Sequence, residues 1–199
     1  MYDERLAEFS RERLDGRPIP DDLRVLLVAQ WEGRTDFTRL LDLDFFEAGE
    51  VHPLLDTSYL SEKELADPEM QAVNAGAAEM AKYVKLVAKG GKGWIGYWLH
   101  PDEPTDRAWH LIELDTEFTF WGLAGLTLTE GAAAAEQARY QDEPDKRIAF
   151  TQVAAELAEL VLPLSTQDYD ARDDAEYAVD PEELMEELIE AEREKLGLR

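Results

Sequence analysis

Cysteine is absent from this chain of 199 residues, and histidine occurs only three times, as His52, His100 and His110. Without cysteine the chain forms no disulfide, no thiolate nucleophile and no thiolate metal site. No two histidines stand four residues apart and no HExxH motif occurs, so the ligand spacing typical of a zinc site is missing. We therefore expect no metal and no cofactor.

Basic residues are scarce as well. The chain has 20 lysines and arginines against 45 aspartates and glutamates, which gives a formal net charge of −25. This balance repels nucleic acid and anionic lipid surfaces, whereas it attracts a basic protein surface. The longest apolar runs, such as Val25–Ala29, are too short to cross a bilayer, and the start of the chain lacks the apolar core of a secretion signal. We expect a cytoplasmic protein whose partner is another protein, in an oligomeric state that the sequence leaves open.

The first third of the chain has the apolar spacing of helices. Pro20 and Asp21 are a start signal for the second helix, and Gly33 is a stop signal. A Ser-x-x-Glu capping box at Ser61 and the pair Asp67-Pro68 predict two later helix starts. Three stripes with helical spacing predict the first three helices: Tyr2, Leu6, Phe9 and Arg13; Leu23, Leu26, Leu27 and Trp31; and Phe37, Leu40, Leu41 and Phe45.

Near Tyr83 the apolar period changes from helical to alternating, which is typical of a strand. The glycines that follow, from Gly90 to Gly93, fit a four-residue hairpin loop in which Lys89 faces Trp94 and its ammonium lies over the indole. The same register places the apolar residues of both strands on one face. The expected pairs are Val84 with Leu99, Lys85 with Trp98, Leu86 with Tyr97 and Ala88 with Ile95.

The same glycines also fit the spacing of a phosphate-binding loop. A dinucleotide fingerprint requires the glycines to open a helix, and a P-loop requires Gly-Lys followed by serine or threonine. In this chain Lys92 is followed by Gly93, and Trp94 begins a strand-like run. We therefore interpret the glycines as turn residues and expect no nucleotide.

Further strands and helices follow the hairpin. Residues 108–114 and 118–123 predict strands that complete an antiparallel meander. Thr127-x-x-Glu130 and Asp180-Pro181 predict helix starts, and residues 148–162 predict a helix that ends at Pro163. Residues 165–199 carry 13 acidic and 4 basic side chains. We predict an α+β domain over residues 1–164, with a helical first third and a mainly antiparallel sheet flanked by helices, followed by an acidic linker and C-terminal helix over residues 165–199.

Aromatic side chains are the first candidates for a binding surface. Trp94 and Trp98 share one face of the predicted strand, and Trp109 and Trp121 lie on the strands after it. Such residues ordinarily form core, since aromatic rings carry much of the buried area of a domain. The alternative is a set of aromatic anchors at a protein interface, surrounded by carboxylates.

Carboxylates and histidines are the only candidates for catalysis. Glu113, Asp115 and Glu117 alternate along a strand and its turn, which fits a solvated face or, if one of them is desolvated, an acid–base group. His100 and His110 stand near acidic residues and leave a small hydrolase open. No GxSxG motif supports a serine nucleophile.

Three segments resemble the SUKH superfamily, whose members include bacterial immunity proteins and relatives of a yeast cell-wall-assembly regulator. They are residues 19–27 (IPDDLRVLL), residues 93–102 (GWIGYWLHPD) and residues 112–117 (IELDTE). The chain departs from the family pattern at Phe118, where a glycine is more usual. The resemblance covers residues 1–165 and implies an α+β fold, no catalysis and, in the bacterial relatives, the neutralisation of a cognate toxin that is often a nuclease.

These observations lead to one functional hypothesis and two alternatives. We expect a non-enzymatic immunity protein that blocks a basic toxin, because a nuclease must be basic to hold phosphate. The alternatives are a regulatory or scaffold module and, less favoured, a hydrolase that uses carboxylates with His100 or His110. The predicted partner-binding residues are Trp94, Tyr97, Trp98, Asp102, Glu113, Asp115 and Glu117.

Overall fold

The structure is a computed structural model of the chain. It describes residues 2–90, 93–133, 135, 150–164 and 177–198. The α-helices are α1 (Asp3–Arg13), α2 (Asp21–Trp31), α3 (Phe37–Leu41), α4 (Glu62–Leu65), α5 (Pro68–Met80), α6 (helical over residues 128–133), α7 (Phe150–Glu159) and α8 (Pro181–Leu196), and a short 3-10 helix spans Pro53–Leu55. The strands are β1 (Asp44–Phe45), β2 (Val84–Gly90), β3 (Gly93–Trp98), β4 (His110–Asp115) and β5 (Phe120–Gly122).

The five strands form one antiparallel sheet in the order β1-β2-β3-β4-β5. This arrangement confirms the α+β class and the predicted meander. Within the described ranges, no helix combines the length and the apolarity that a bilayer crossing requires.

Helices cover both faces of the sheet. Tyr97 and Leu111 belong to the core that α1, α2, α3, α6 and α7 share with one face. Trp98 and Ile112 belong to a second core on the other face, together with Met185 of α8. The central strands are therefore buried on both sides, which requires apolar residues at consecutive positions instead of alternate ones.

The hairpin between β2 and β3 is confirmed, and its connection is shorter than predicted. Gly90 already pairs with Gly93, so only Gly91 and Lys92 separate the strands, and both lie outside the described residues. Because Gly93 begins a strand, the glycines do not open a helix as a dinucleotide fingerprint requires.

The predicted register holds only next to the hairpin. The pairs Lys89 with Trp94 and Ala88 with Ile95 are confirmed, but Val87 forms a bulge, and the pairs beyond it are shifted by one residue. Gly96 lies at the bulge, where any side chain would collide with the carbonyl oxygen of Lys85. The observed pairs beyond the bulge are Leu86 with Gly96, Lys85 with Tyr97 and Val84 with Trp98.

The third helix, α3, is shorter than the sequence predicts. It ends at Leu41 because Asp42 adopts a left-handed conformation with φ 50°. Phe45 was predicted on the apolar side of this helix, but it lies in β1 and pairs with Ala88 of β2. The first strand of the sheet was therefore missed, since two residues are too few to show an alternating pattern.

The predicted helix starts are confirmed at the level of individual hydrogen bonds. Ser61 and Glu64 form a reciprocal capping box, and the Asp67 and Asp180 side chains accept hydrogen bonds from the first turns of α5 and α8. At α6 the Thr127 hydroxyl accepts from the backbone of Glu130, whose carboxylate accepts from the backbone of Leu126. Local side chains therefore fix where these helices begin.

Helix α8 packs against α5 and covers the second core. Gly76 of α5 provides the close approach, because a Cβ atom at this position would lie 2.7 Å from Cγ1 and 3.0 Å from the backbone nitrogen of Ile189. Arg193 also pairs with Glu69 of α5 at 2.8 Å. The boundary between residues 164 and 165 stays a prediction, since residues 165–176 lie outside the described part of the chain.

Candidate functional site

Three of the seven predicted partner-binding residues are buried. Tyr97 is 3% exposed, Trp98 is 1% exposed and Glu113 is 7% exposed. The sequence interpretation included both aromatic residues among the partner-binding residues, but they point to opposite faces of the sheet, and helices cover both faces. These three side chains belong to the core and give a partner no surface to contact.

Trp94 lies at the hairpin end of the sheet, where it lines an open groove with a volume of about 480 Å³. This volume lies in the range of about 300–1,000 Å³ that is usual for binding sites. The groove is lined by Phe46, Glu50, Val51, Pro53, Asp56, Tyr59, Lys89, Trp94, Thr116 and Phe118.

One wall of the groove consists of apolar residues that protrude into solvent. Val51 is 61% exposed and Tyr59 is 66% exposed, and neighbouring Leu55 is 47% exposed. Single exposed apolar residues are common, but several around one concave site mark a candidate interaction surface. A protein partner that binds here would cover this exposed apolar wall.

Buried polar contacts hold this wall in place. The Arg13 guanidinium donates to the carbonyl oxygens of Glu47 at 2.8 Å and Glu50 at 2.7 Å. Nδ1 of His52 accepts from the backbone N–H of Leu54, and its Nε2 lies 3.1 Å from the carbonyl oxygen of Val84. The wall is thus tied to α1 and β2 and is formed before a partner arrives.

The opposite wall is the turn between β4 and β5. The Asp115 carboxylate accepts from the backbone N–H groups of Glu117 at 2.8 Å and Thr119 at 2.9 Å. Phe118 completes the turn with φ 64°, in the left-handed region that favours glycine. Phe118, the position at which the sequence departs from the SUKH pattern, therefore has a backbone conformation that glycine adopts more readily.

The groove carries a negative charge that persists below neutral pH. The pKa of Glu50 is lowered mainly by the hydrogen bond from the backbone of Glu47, and the pKa of Asp56 is lowered by hydrogen bonds from Ser58. Hydrogen bonds from the backbone of Thr119 and Glu117 likewise lower the pKa of Asp115. Hydrogen bonds from backbone and side-chain groups thus keep the carboxylates of the first wall and the Asp115 carboxylate of the β4–β5 turn ionised.

Among the residues that the structure describes, Lys89 is the one cation that lines the groove, and an acid of the chain already pairs with it. Its Nζ lies 3.2 Å from Glu50 and 5.4 Å from the centre of the Phe46 ring. The prediction that this ammonium lies over Trp94 is wrong, although the two residues do face each other across the strands. Asp56 has no ion-pair partner among the described residues.

Asp102 lies away from the groove. It follows the end of β3 opposite to Trp94, is 75% exposed at its side chain and stands 3.8 Å from His100. The structure therefore brings Trp94, Asp115 and Glu117 to one end of the sheet and leaves Asp102 at the other.

A second, smaller pocket of about 180 Å³ lies at that other end, between His100 and His110. Its floor holds Glu103, whose Oε1 accepts from the Trp98 indole at 3.1 Å and from the backbone of Ala178 at 2.9 Å. Oε2 of Glu103 lies 3.2 Å from Nε2 of His110, and the carboxylate is 8% exposed. Across the described residues, no group of three or more histidines and carboxylates is arranged to hold a metal ion.

The sequence interpretation missed most of the groove. Phe46, Val51, Asp56 and Tyr59 fall in a segment without helical or alternating periodicity, and Glu103 lies in a loop. The one signal available was the occurrence of apolar residues in the proline-containing stretch 51–60, where the sequence predicts no helix or strand that would explain them.

The chain was compared with protein-family models, curated proteins and solved structures, and none of them matches it.

Proposed function

We propose that the chain is a non-enzymatic domain that binds a basic protein, in the manner of a SUKH immunity protein that neutralises a toxin in the cytoplasm. A nuclease is the favoured class of toxin, because a nuclease needs a basic surface to hold phosphate. An acidic partner competes for that surface and reaches it quickly through the opposite charges of the two proteins.

The observation that carries this proposal is the groove at the hairpin end of the sheet. Val51 and Tyr59 expose apolar area to water, which binding of a partner would bury. Trp94 and Phe118 add aromatic rings of the kind found at the centres of interfaces. The carboxylates around these rings favour a positively charged partner.

The hydrolase alternative has one observation in its favour, the buried carboxylate of Glu103 beside His110. Two features weigh against a catalytic role. The Oε1 atom of Glu103 accepts from the backbone N–H groups of Ala178 and Val179, which ties the carboxylate to the start of α8. Within the described ranges, Thr105 is the single hydroxyl-bearing side chain that lines the pocket. Loss of a measured esterase activity in a His110→Gln variant would favour this alternative.

The proposal is tested by co-expressing the chain with the basic protein encoded beside it in the genome. We expect the wild-type chain to restore growth of cells that produce that protein. The double variant Val51→Ser, Tyr59→Ser removes exposed apolar area from the groove without touching the core, so we expect it to fold and to lose the rescue.

Leu126→Ser is the matched control, since Leu126 is 75% exposed and does not line the groove. It should restore growth as the wild-type chain does. If the wild-type chain fails to restore growth with every basic protein encoded beside it, the immunity proposal is wrong. If the groove variant rescues as well as the control, the groove is not the interface.

A further inference from the structure

Two arginines of this chain already lie over aromatic rings, and one of these rings, that of Phe46, lines the groove. The guanidinium of Arg5 lies 4.1 Å from the centre of the Trp31 ring and donates to both carboxylate oxygens of Glu47 at 2.8 Å. The guanidinium of Arg13 lies 4.6 Å from the centre of the Phe46 ring. Arginine suits such sites because its planar group stacks on a ring while its N–H groups reach a carboxylate.

In the groove, three aromatic rings and one carboxylate have no such cation among the described residues. Trp94, Tyr59 and Phe118 line it, and no cation of the described residues lies over any of the three rings. Asp56 lines it too, with a carboxylate whose pKa is lowered and which forms no ion pair within the described ranges. Lys89 is directed instead to Glu50 and the ring of Phe46.

We propose that the groove binds an arginine side chain of the basic partner, with the guanidinium stacked on the aromatic rings and paired with Asp56. This inference rests on the proposed function for the partner and names the group on the partner that the groove recognises. Arginine is preferred over lysine because a compact, strongly hydrated ammonium stacks poorly and forms no bidentate pair. It is preferred over an apolar side chain because two ionised carboxylates, Glu50 and Asp56, line the groove.

The test titrates the full-length, ¹⁵N-labelled chain with four short glycine–serine peptides that differ at one central position. That position holds arginine, lysine, tryptophan or citrulline, the last being a neutral analogue of arginine with the same planar shape. The reported signal is the indole N–H resonance of Trp94, which is assigned from its disappearance in a Trp94→Phe variant.

We expect the arginine peptide to shift this resonance and to bind at least about fivefold more tightly than the lysine peptide, since only arginine both stacks and pairs. The citrulline peptide should bind at least about tenfold more weakly, and added salt should weaken the arginine peptide. Asp56→Asn should reduce its affinity at least about fivefold, because the ion pair is lost. Glu187→Gln, an exposed carboxylate of α8 outside the groove, should leave it unchanged.

Three results would overturn the inference: equal binding of the arginine and citrulline peptides, tightest binding of the tryptophan peptide, or no effect of Asp56→Asn. Failure of the proposed function is a separate outcome. If growth rescue depends on Val51 and Tyr59 while the arginine peptide does not bind, the partner site stands and its arginine specificity is wrong. If the peptide binds as expected while no neighbouring protein is neutralised, arginine recognition stands and the immunity proposal is wrong.

Discussion

Replacement of Phe118 by glycine should separate the stability of the fold from the function of the groove. A non-glycine residue in the left-handed region costs about 1–2 kcal/mol, and Phe118 has φ 64°. Glycine removes this cost. It also loses the half-buried ring, which contributes about 0.8–1.5 kcal/mol, half of the about 1.5–3 kcal/mol that complete burial contributes. The greater freedom of glycine in the unfolded chain costs a further ~0.5–1 kcal/mol.

These contributions nearly cancel, so we expect Phe118→Gly to change the free energy of unfolding by less than about 1 kcal/mol in urea titrations. Phe120→Gly is the matched control. Phe120 is half-buried in the same core cluster, and its backbone does not have a positive φ. The control should therefore lose about 2 kcal/mol or more, because no strain is released.

The same variant should lose at least about fivefold in affinity for the arginine peptide, since one ring of the groove is gone. Strained backbone that adds little to stability is typical of functional sites. If Phe118→Gly destabilises the chain as much as Phe120→Gly does, the ring of Phe118 serves packing and this reasoning fails.

Three further predictions concern the core and its titration. Gly76→Val should destabilise the chain by about 2 kcal/mol in urea titrations, because the added methyl groups press α8 away from α5. Ala78→Val, at an exposed position of the same helix, is the control, and an equal loss of stability in it would contradict this prediction. Burial lowers the pKa of His52 to about 4, so stability should fall on acidification from about pH 6.5 to 4, where only the unfolded chain binds the proton. His52→Asn keeps a cap acceptor and should flatten that fall by up to about 3 kcal/mol, whereas an unchanged pH profile would refute the assignment. Tyr97→Phe should raise the free energy of unfolding by about 1 kcal/mol without affecting partner binding, because the buried hydroxyl has no hydrogen-bond partner in the described ranges. A loss of partner binding in this variant would show that Tyr97 belongs to the binding site.

Features that depend on neighbouring residues in the sequence were predictable. The caps at Ser61, Asp67 and Asp180 act within three residues, so the sequence alone predicts where those helices begin. The hairpin was predictable for the same reason, because the pairing of Lys89 with Trp94 depends only on a short connection.

Features that depend on distant contacts were not predictable. The bulge at Val87 shifts the register between β2 and β3, and an alternating sequence pattern does not predict a bulge. Alternation correctly separates Tyr97 from Trp98, but it does not show that helices from both ends of the chain cover both faces. A strand in the middle of a covered sheet cannot present its aromatic residues to a partner, which is why the predicted aromatic surface is not found.

The candidate groove was predicted only at its edges. Trp94, Asp115 and Glu117 were named because they belong to strands and a turn, which leave a pattern in the sequence. Val51 and Tyr59 come from an irregular segment, and contacts with Arg13 and with the carbonyl oxygen of Val84 hold that segment beside β2. Such a site emerges from tertiary packing and has no periodic signal of its own.

The most direct test of the groove as the interface is amide hydrogen exchange of the chain alone and in complex with its basic partner. We predict slowed exchange on binding in residues 50–60 and in residues 115–119, the two walls of the groove, with little change in α1 and α8. Slowed exchange confined to the helices, or to the loop that contains Asp102 and Glu103, would contradict the account.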